Sequence, residues 1–297
     1  TAEKHHKPVL TNFLGRTEES PGFAELVSHG IPSYLFPESA ARALAAMYRY
    51  ARYREREEGK TRIFEVDRAR AAEILRRAQA EGRPRLAETE AMEFLEAYGI
   101  HTAKSRIVAS RSELPDAARE IGYPVALKAV GSQLVHKTDL KAVLLDVRTE
   151  RELVDGAQKM ERGLKARGVA LDGFLLQEYV VDGKEVILGM TRDKVYGPFL
   201  VFGLGGIYVE YLQDVAFGLP PLTDQDASRM IESIRTYPLL TGVRGEAPCD
   251  VDALREALLR LAQAVLDFDA IQEMDLNPVI ALEKGKGYRA VDARIIL

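Results

Sequence analysis

Two hydrophobic rhythms alternate along this chain: short apolar runs closed by Gly, Pro or charge, and longer stretches with apolar residues at helical spacing. In the first part, Pro8 to Leu14 reads as a buried strand. Ser20-Pro21 opens a helix to His29, with proline near its first turn. Gly30-Ile31-Pro32 breaks it, and Ser33 to Phe36 reads as a second strand. Pro37-Glu38-Ser39 then starts an Ala-rich helix with Ala43, Leu44, Met47 and Tyr50 on one side. Two strands do not make a stable parallel sheet alone, so this strand–helix–strand–helix series predicts the tail of a doubly wound domain whose front is absent.

The next stretch is dominated by charge. Arg52 to Lys60 reads RYREREEGK and Glu81 to Arg85 reads EGRPR. Breaks at Gly59 and at Gly82-Arg83-Pro84 predict a charged linker over 59–85 with one short helix, Arg68 to Ala80, inside it. Beyond it the rhythm is richer. Helix Thr89 to Tyr98 closes on Gly99, followed by strand Ser105 to Val108, helix Glu113 to Ile121 and strand Val125 to Ala129. Strand Val143 to Val147 and helix Glu150 to Arg167 come next. Strands are then expected at Phe174 to Tyr179, Glu185 to Met190 and Phe199 to Phe202. Helices begin near Thr223 and Asp250, the second with Val251, Leu254, Leu258, Leu261 and Val265 in register. Strands at Ala270 to Ile280 and Tyr288 to Ala293 end the chain. Adjacent strands mixed with helices predict an α/β chain of α+β type rather than a plain βαβ array.

Composition narrows the function classes. The chain has 297 residues, 46% hydrophobic and 29% charged, a length that suggests about two domains and a core needing no disulfide staples. The formal charge is −4, which speaks against a nucleic-acid binder held by a basic surface. That charge is uneven: residues 1–85 carry 16 basic and 12 acidic side chains, the remainder 25 and 33. The single cysteine, Cys249, excludes a disulfide framework and a Cys-rich metal site, and fits a reducing compartment. No apolar run approaches the ~18 residues of a membrane span. Thr1 opens the chain without Met or a signal-peptide pattern, so a piece of a longer, cytoplasmic protein is expected.

Five segments carry candidate chemistry. Lys128 lies inside the apolar run YPVALKAVG, where an ammonium needs a partner or an exposed strand end. It is either an edge-strand lysine facing water or a phosphate-binding lysine projecting into a cleft. His136, in the loop VHKTD, is either a surface histidine or a nucleophile whose neutral imidazole attacks phosphorus. Gln177-Glu178-Tyr179 leads through Asp182-Gly183 to Glu185, a hinge or a hairpin. Hinge backbone can pair with an adenine edge, and Glu185 can accept from ribose hydroxyls. Phe202 to Gly206 (FGLGG) lets backbone N–H groups approach phosphate oxygens. It departs from the dinucleotide fingerprint because Ile207-Tyr208-Val209 reads as strand. Last, alternation over Gln272 to Asn277 puts Glu273, Asp275 and Asn277 on one strand face. With Asp292, these oxygen donors suit Mg²⁺ or are simply a solvent face, and Pro278 is expected to end the regular ladder.

Taken together, the segments EAYGI (96–100), GYPVALKAVGSQLVHKTD (122–139), QEYVVDGKEVILG (177–189), GPFLVFGLGGIYVEYLQDVAF (197–217), LLTGVRGEAPCDVDAL (239–254), EMDLNPVIAL and VDARI resemble one family. It is the ADP-forming acyl-CoA synthetases, also named acetate–CoA ligases (ADP-forming) and related to succinyl-CoA synthetase. The resemblance implies a two-lobed ATP-grasp domain over 86–297. Residues 1–58 resemble the C-terminal remnant of the family's flavodoxin-like ligase-CoA subdomain.

The implied reaction interconverts acyl-CoA, ADP and phosphate with carboxylic acid, CoA and ATP through acyl phosphate and phosphohistidine. By the same resemblance His136 is the phosphorylated histidine and Lys128 binds nucleotide phosphate. Glu178 and Val180 are hinge residues at the adenine, and Glu185 meets the ribose. Gly203, Gly205 and Gly206 lie against the phosphates. Asn277 and Asp292 ligate Mg²⁺, with Asp275 close by. Acid and CoA are handled by upstream domains, and the full-length protein is expected to be a homo-oligomer.

Two departures from the family pattern stand out. Lys141-Ala142 replace a Gly-Gly pair after the histidine segment, which bears on the mobility of that loop. Met92 replaces a frequent lysine, which removes a possible phosphate contact. Acetyltransferase-fused relatives use this architecture as a ligand-sensing module, so a regulatory role is the alternative reading.

Overall fold

Pro21 and Pro37 each sit in a first helical turn, where their fixed φ and missing N–H cost nothing, and they start the two main helices of the N-terminal unit. The computed structural model describes residues 2–12, 21–131, 142–206, 213–243 and 245–297. Two compact units divide the chain, Thr1–Glu58 and Gly59–Leu297. In the first, a short helix α1 (Ala2–His5) precedes strand β1 (Thr11–Asn12). Helix α2 (Pro21–Ser28), strand β2 (Ser33–Tyr34) and helix α3 (Pro37–Arg54) follow. β1 and β2 pair in parallel, and Asn12 Nδ2 donates to the Tyr34 carbonyl at 2.9 Å. Of the strand expected over 8–14, residues 8–12 are described and none of them is buried: Val9 is exposed and Thr11 and Asn12 are half-buried. Neither helix buries a residue, because a two-stranded sheet offers too little surface to cover an apolar helix face.

Residues 59–85, expected as a charged linker, fall within the second unit. Helix α4 (Arg68–Ala80) is capped by Asp67, whose side chain accepts from Arg70 N. It buries Ala71, Ile74, Leu75 and Ala78 in the core. Charge covers the outer face while a narrow stripe of apolar residues at helical spacing packs inward, so a stretch rich in charge still forms part of the body. Upstream of it, Lys60 N donates to Asp224 Oδ1 at 2.8 Å.

The second unit has two lobes, each with its own sheet and core. Helix α5 (Glu88–Ala97) leads into the smaller lobe, which contains β3 (Ser105–Val108), α6 (Leu114–Ile121), β4 (Val125–Val130), β5 (Val143–Val147), α7 (Glu150–Ala166) and β6 (Gly173–Glu178). Its four strands run in the order β3-β6-β4-β5, all antiparallel. Alternation sends Val125, Leu127, Ala129, Phe174 and Leu176 into a core shared with Leu114, Ala117, Leu153 and Leu164 of the two helices. The opposite face carries Ala126, Lys128, Leu175 and Gln177, which are buried as well.

The larger lobe is built on β7 (Lys184–Asp193), β8 (Gly197–Leu204), β9 (Val215–Gly218), β10 (Glu273–Ala281), β11 (Tyr288–Ala290) and β12 (Ala293–Ile296). Its order is β11-β10-β7-β8-β9, with β12 also on β10. Helices α8 (Asp224–Ser233) and α9 (Val251–Asp267) pack with α4 and α5 into its core. In α9 the predicted positions Leu254, Leu258, Leu261 and Val265 are all fully buried. The free thiol of Cys249 is buried there too, and burial pushes its pKa up. The expected α+β, two-lobed arrangement is what forms.

Two details differ from expectation. β9 has no counterpart among the strands expected from the sequence, and the final strand splits in two around Val291-Asp292. Pro278 does interrupt the regular ladder as expected: the register of β10 with β7 shifts between Leu276 and Val279, and the strand runs on to Ala281.

Candidate functional site

β4 is an interior strand, so Lys128 is not an edge residue. Its flanking residues Leu127 and Ala129 face the small-lobe core, which turns Lys128 to the opposite face of the sheet. There it is only 9% exposed, and its Nζ donates to Glu88 Oε1 at 2.7 Å. A buried ammonium needs such a counter-charge. Glu88 is the first residue of α5, so the pair links the small sheet to a helix that packs in the larger lobe's core.

The segment before α5 is tied down as well. Arg83 grips Glu90 through two parallel bonds, Nη1 to Oε2 at 2.6 Å and Nη2 to Oε1 at 2.9 Å. The same Glu90 carboxylate accepts from Ala87 N at 2.9 Å, closing the helix start. The Arg83 guanidinium holds the Glu90 carboxyl below the usual carboxylate range, against an opposing effect of partial burial.

Across the cleft stands β10. Met274 and Leu276 are buried, whereas Glu273 and Asp275 are half-buried and Asn277 is exposed; the alternation expected over 272–277 is real. Asn277 N donates to the Asp292 carbonyl at 3.2 Å, and Val291 N to the Pro278 carbonyl at 3.0 Å. These two bonds set Asp292 beside Asn277. Burial pushes the Asp275 carboxyl up; Arg294 opposes this and Glu273 reinforces it. Arg294 in turn forms an ion pair with Glu273.

These walls enclose a cavity of about 610 Å³. Arg85 to Thr89 form one side, and Ile107, Val130, Gly131 and Leu175 of the small lobe a second. Asp275, Asn277, Asp292, Ala293 and Arg294 form the third. Two carboxylates and an amide are hard oxygen donors, a set that fits Mg²⁺ holding phosphate oxygens and keeping part of its water. Among the described residues no three His, Cys, Asp or Glu side chains cluster as a protein-only metal cage, so ligand oxygens would have to complete such a shell.

The hinge segment is a true crossing. β6 lies in the small sheet and β7 in the large one, which removes the hairpin reading. Glu178 N donates to the Lys104 carbonyl at 2.8 Å, and its Oε2 accepts from Lys104 N at 3.2 Å. Val180 is half-buried and Glu185 exposed.

At the end of β8, Gly205 N donates to the Glu185 carbonyl at 2.7 Å. A Cβ on Gly205 would lie 2.9 Å from the Glu185 Cβ, and one on Gly206 (φ +65°) 3.3 Å from its Oε2. A Cβ on Gly203 would meet the Asp214 carbonyl at 3.0 Å. Glycine is thus required for the close approach of 203–206 to the Glu185 strand and its neighbour. The structure brings Glu185, Gly205 and Gly206 together, but neither they nor Gly203, Glu178 or Val180 line the 610 Å³ cavity.

His136 and Lys141 lie outside the described residues, as does Ile207-Tyr208-Val209. Ala142 is fully buried in the small-lobe core, and its carbonyl accepts from Ala129 N at 2.8 Å. Met92 is buried in the large core and does not line the cavity. Sequence reasoning missed Glu88, Arg85 and Arg294. The apolar run around Lys128 did demand a partner, but nothing in it says that the partner lies 40 residues upstream.

The geometry can now be set beside known proteins. The ATP-grasp domain family matches residues 77–297. Over 230 residues the chain is 42% identical to the acetate–CoA ligase [ADP-forming] II subunit beta of Pyrococcus furiosus, covering 76% of this chain and 98% of that subunit. The chain belongs to the ADP-forming acyl-CoA ligase family. A longer member, the 4-hydroxybutyrate–CoA ligase [ADP-forming] of Nitrosopumilus maritimus, is 40% identical over 296 residues, 99% of this chain. The chain spans 42% of that ligase's length. Among solved structures of the family is the dinucleotide-forming acetyl-coenzyme A synthetase 1 of Ca. Korarchaeum cryptofilum. One of its complexes holds coenzyme A and Mg-AMPPCP, with its phosphohistidine segment pointing towards the nucleotide binding site. It superposes with a TM-score of 0.68 at 40% identity and covers 76% of this chain and 99% of that one. These family members carry ligase or synthetase names, and none favours the regulatory reading. Among the described residues no helix is long and apolar enough to cross a membrane.

Proposed function

We propose that this chain is the nucleotide-binding, phosphohistidine-forming part of an ADP-forming acyl-CoA synthetase. The complete protein interconverts acyl-CoA, ADP and phosphate with carboxylic acid, CoA and ATP. The observation that carries this reading is one cleft between two lobes, lined by Arg85 and Glu88 on one side and by Asp275, Asn277, Asp292 and Arg294 on another, with Lys128 behind Glu88 as its ion-pair partner. Cationic side chains beside oxygen donors for a metal cation are the charge pattern that a polyphosphate needs.

In this reading Lys128 binds a nucleotide phosphate, and Glu178 and Val180 meet the adenine, largely through backbone groups. Glu185 accepts from the ribose, and the backbone of Gly203, Gly205 and Gly206 flanks the phosphates. Asn277 and Asp292, with Asp275 beside them, would hold Mg²⁺, which when bound neutralises charge on the phosphate oxygens. His136 attacks the γ-phosphorus of ATP with a neutral ring nitrogen. The new N–P bond forms as the P–O bond to ADP breaks, and the reverse step returns the phosphoryl group to ADP. The solved relative's complex with Mg-AMPPCP, its phosphohistidine segment pointing towards the nucleotide binding site, supports both the nucleotide and the histidine roles. The setting proposed is the cytoplasm, in a homo-oligomer of the full-length protein whose further domains handle CoA and the acid.

Incubation of the chain with γ-labelled ATP and Mg²⁺ tests the histidine role. Acid-labile, base-stable label is expected on the wild type and not on His136→Ala. No label on the wild type, or equal label on the variant, would overturn it.

A further inference from the structure

Gln177 is the last fully buried residue of β6 before the hinge, with no exposed surface. Its neighbours Phe174 and Leu176 belong to the small-lobe core, while Leu175, on Gln177's own face of the strand, lines the cavity. The side chain crosses to the other lobe: Nε2 donates to the Val291 carbonyl at 2.9 Å. Its Oε1 is buried and meets no donor among the described residues. A desolvated acceptor without a partner is a standing cost, and an apolar side chain of the same size would avoid it. The half of the amide that is used is the donor, and it ends on the residue next to Asp292.

That residue sits in a small backbone lock. Val291 N reaches the Pro278 carbonyl, and the Asp292 carbonyl receives Asn277 N. Gln177 adds the third bond to this turn, and the only one of the three that comes from the opposite lobe. We propose that Gln177 is a positioning residue for the metal, fixing the Val291-Asp292 turn so that the Asp292 and Asn277 oxygens face the cavity together. The inference rests on the reading of Asp292 and Asn277 as Mg²⁺ ligands. Groups that orient ligands from behind commonly change metal affinity by about 10–100-fold when removed.

The test is titration calorimetry of ADP against the full chain, with Mg²⁺ and with EDTA, beside a thermal melt. Gln177→Leu is expected to melt near the wild-type temperature, because it removes the orphan acceptor but also the donor to the Val291 carbonyl. Its affinity for ADP should fall by about 10-fold in Mg²⁺ and stay unchanged in EDTA. Gln177→Met, of similar length and without a donor, should show the same loss in Mg²⁺ and covers the case in which the leucine variant does not fold. Asp292→Ala separates the two ideas. If it loses the Mg²⁺ effect while both Gln177 variants keep wild-type affinity, the positioning role is wrong and the ligand reading stands. If Asp292→Ala leaves the Mg²⁺ effect intact, the ligand reading itself fails.

Discussion

Lys128 Nζ and Glu88 Oε1 lie 2.7 Å apart, with only 11% and 19% of their side chains exposed. One group stands on an interior strand and the other at a helix start 40 residues earlier in the chain. Leaving the ammonium there without its carboxylate strands a buried charge. Glu88→Gln keeps the size and a hydrogen-bonding oxygen but removes the charge. It is expected to lower unfolding free energy by about 1–3 kcal/mol in urea titrations at neutral pH. An unchanged midpoint would mean that the pair contributes nothing to the lobe junction.

The Arg83–Glu90 pair makes a pH-dependent contribution whose sign follows from its cause. Bonding to the guanidinium lowers the Glu90 pKa in the folded chain. Its stabilisation is therefore complete above the unfolded carboxyl pKa of about 4.3 and is lost as pH falls through the folded value. Glu90→Gln should be less stable than wild type at pH 7 by about 1–2 kcal/mol. The gap should persist to about pH 5 and close below about pH 4. A gap that stayed constant down to pH 3 would contradict this assignment.

Much of the fold was legible in the sequence because period and burial agree. The core pattern of 125–129, the alternation of 272–277 and the leucine register of 251–265 each specify one face. Three things were not legible. The helix 68–80 is legible with its bounds, but its outer face is so charged that its four inward residues, two of them alanines, do not announce that it packs into the core. β9 is only four residues long, and Ala216 alone of them is buried, too little to show a period. The site itself was half-readable: oxygen donors and a lysine announce themselves by type. Their partners, Glu88 for Lys128 and Gln177 for the Asp292 turn, are set by which strands the topology places across the cleft.

If Lys128 holds a phosphate of a Mg²⁺-nucleotide bound in the cleft, its charge must show in the affinity. Calorimetric titration of ADP in Mg²⁺ into wild type and Lys128→Met, with circular dichroism to verify the fold, measures this. Saturable binding to the wild type is expected, with at least about 10-fold weaker binding to the folded variant, the loss of one charge-assisted phosphate contact. Equal affinity in the two proteins, or no binding to the wild type, would overturn the assignment.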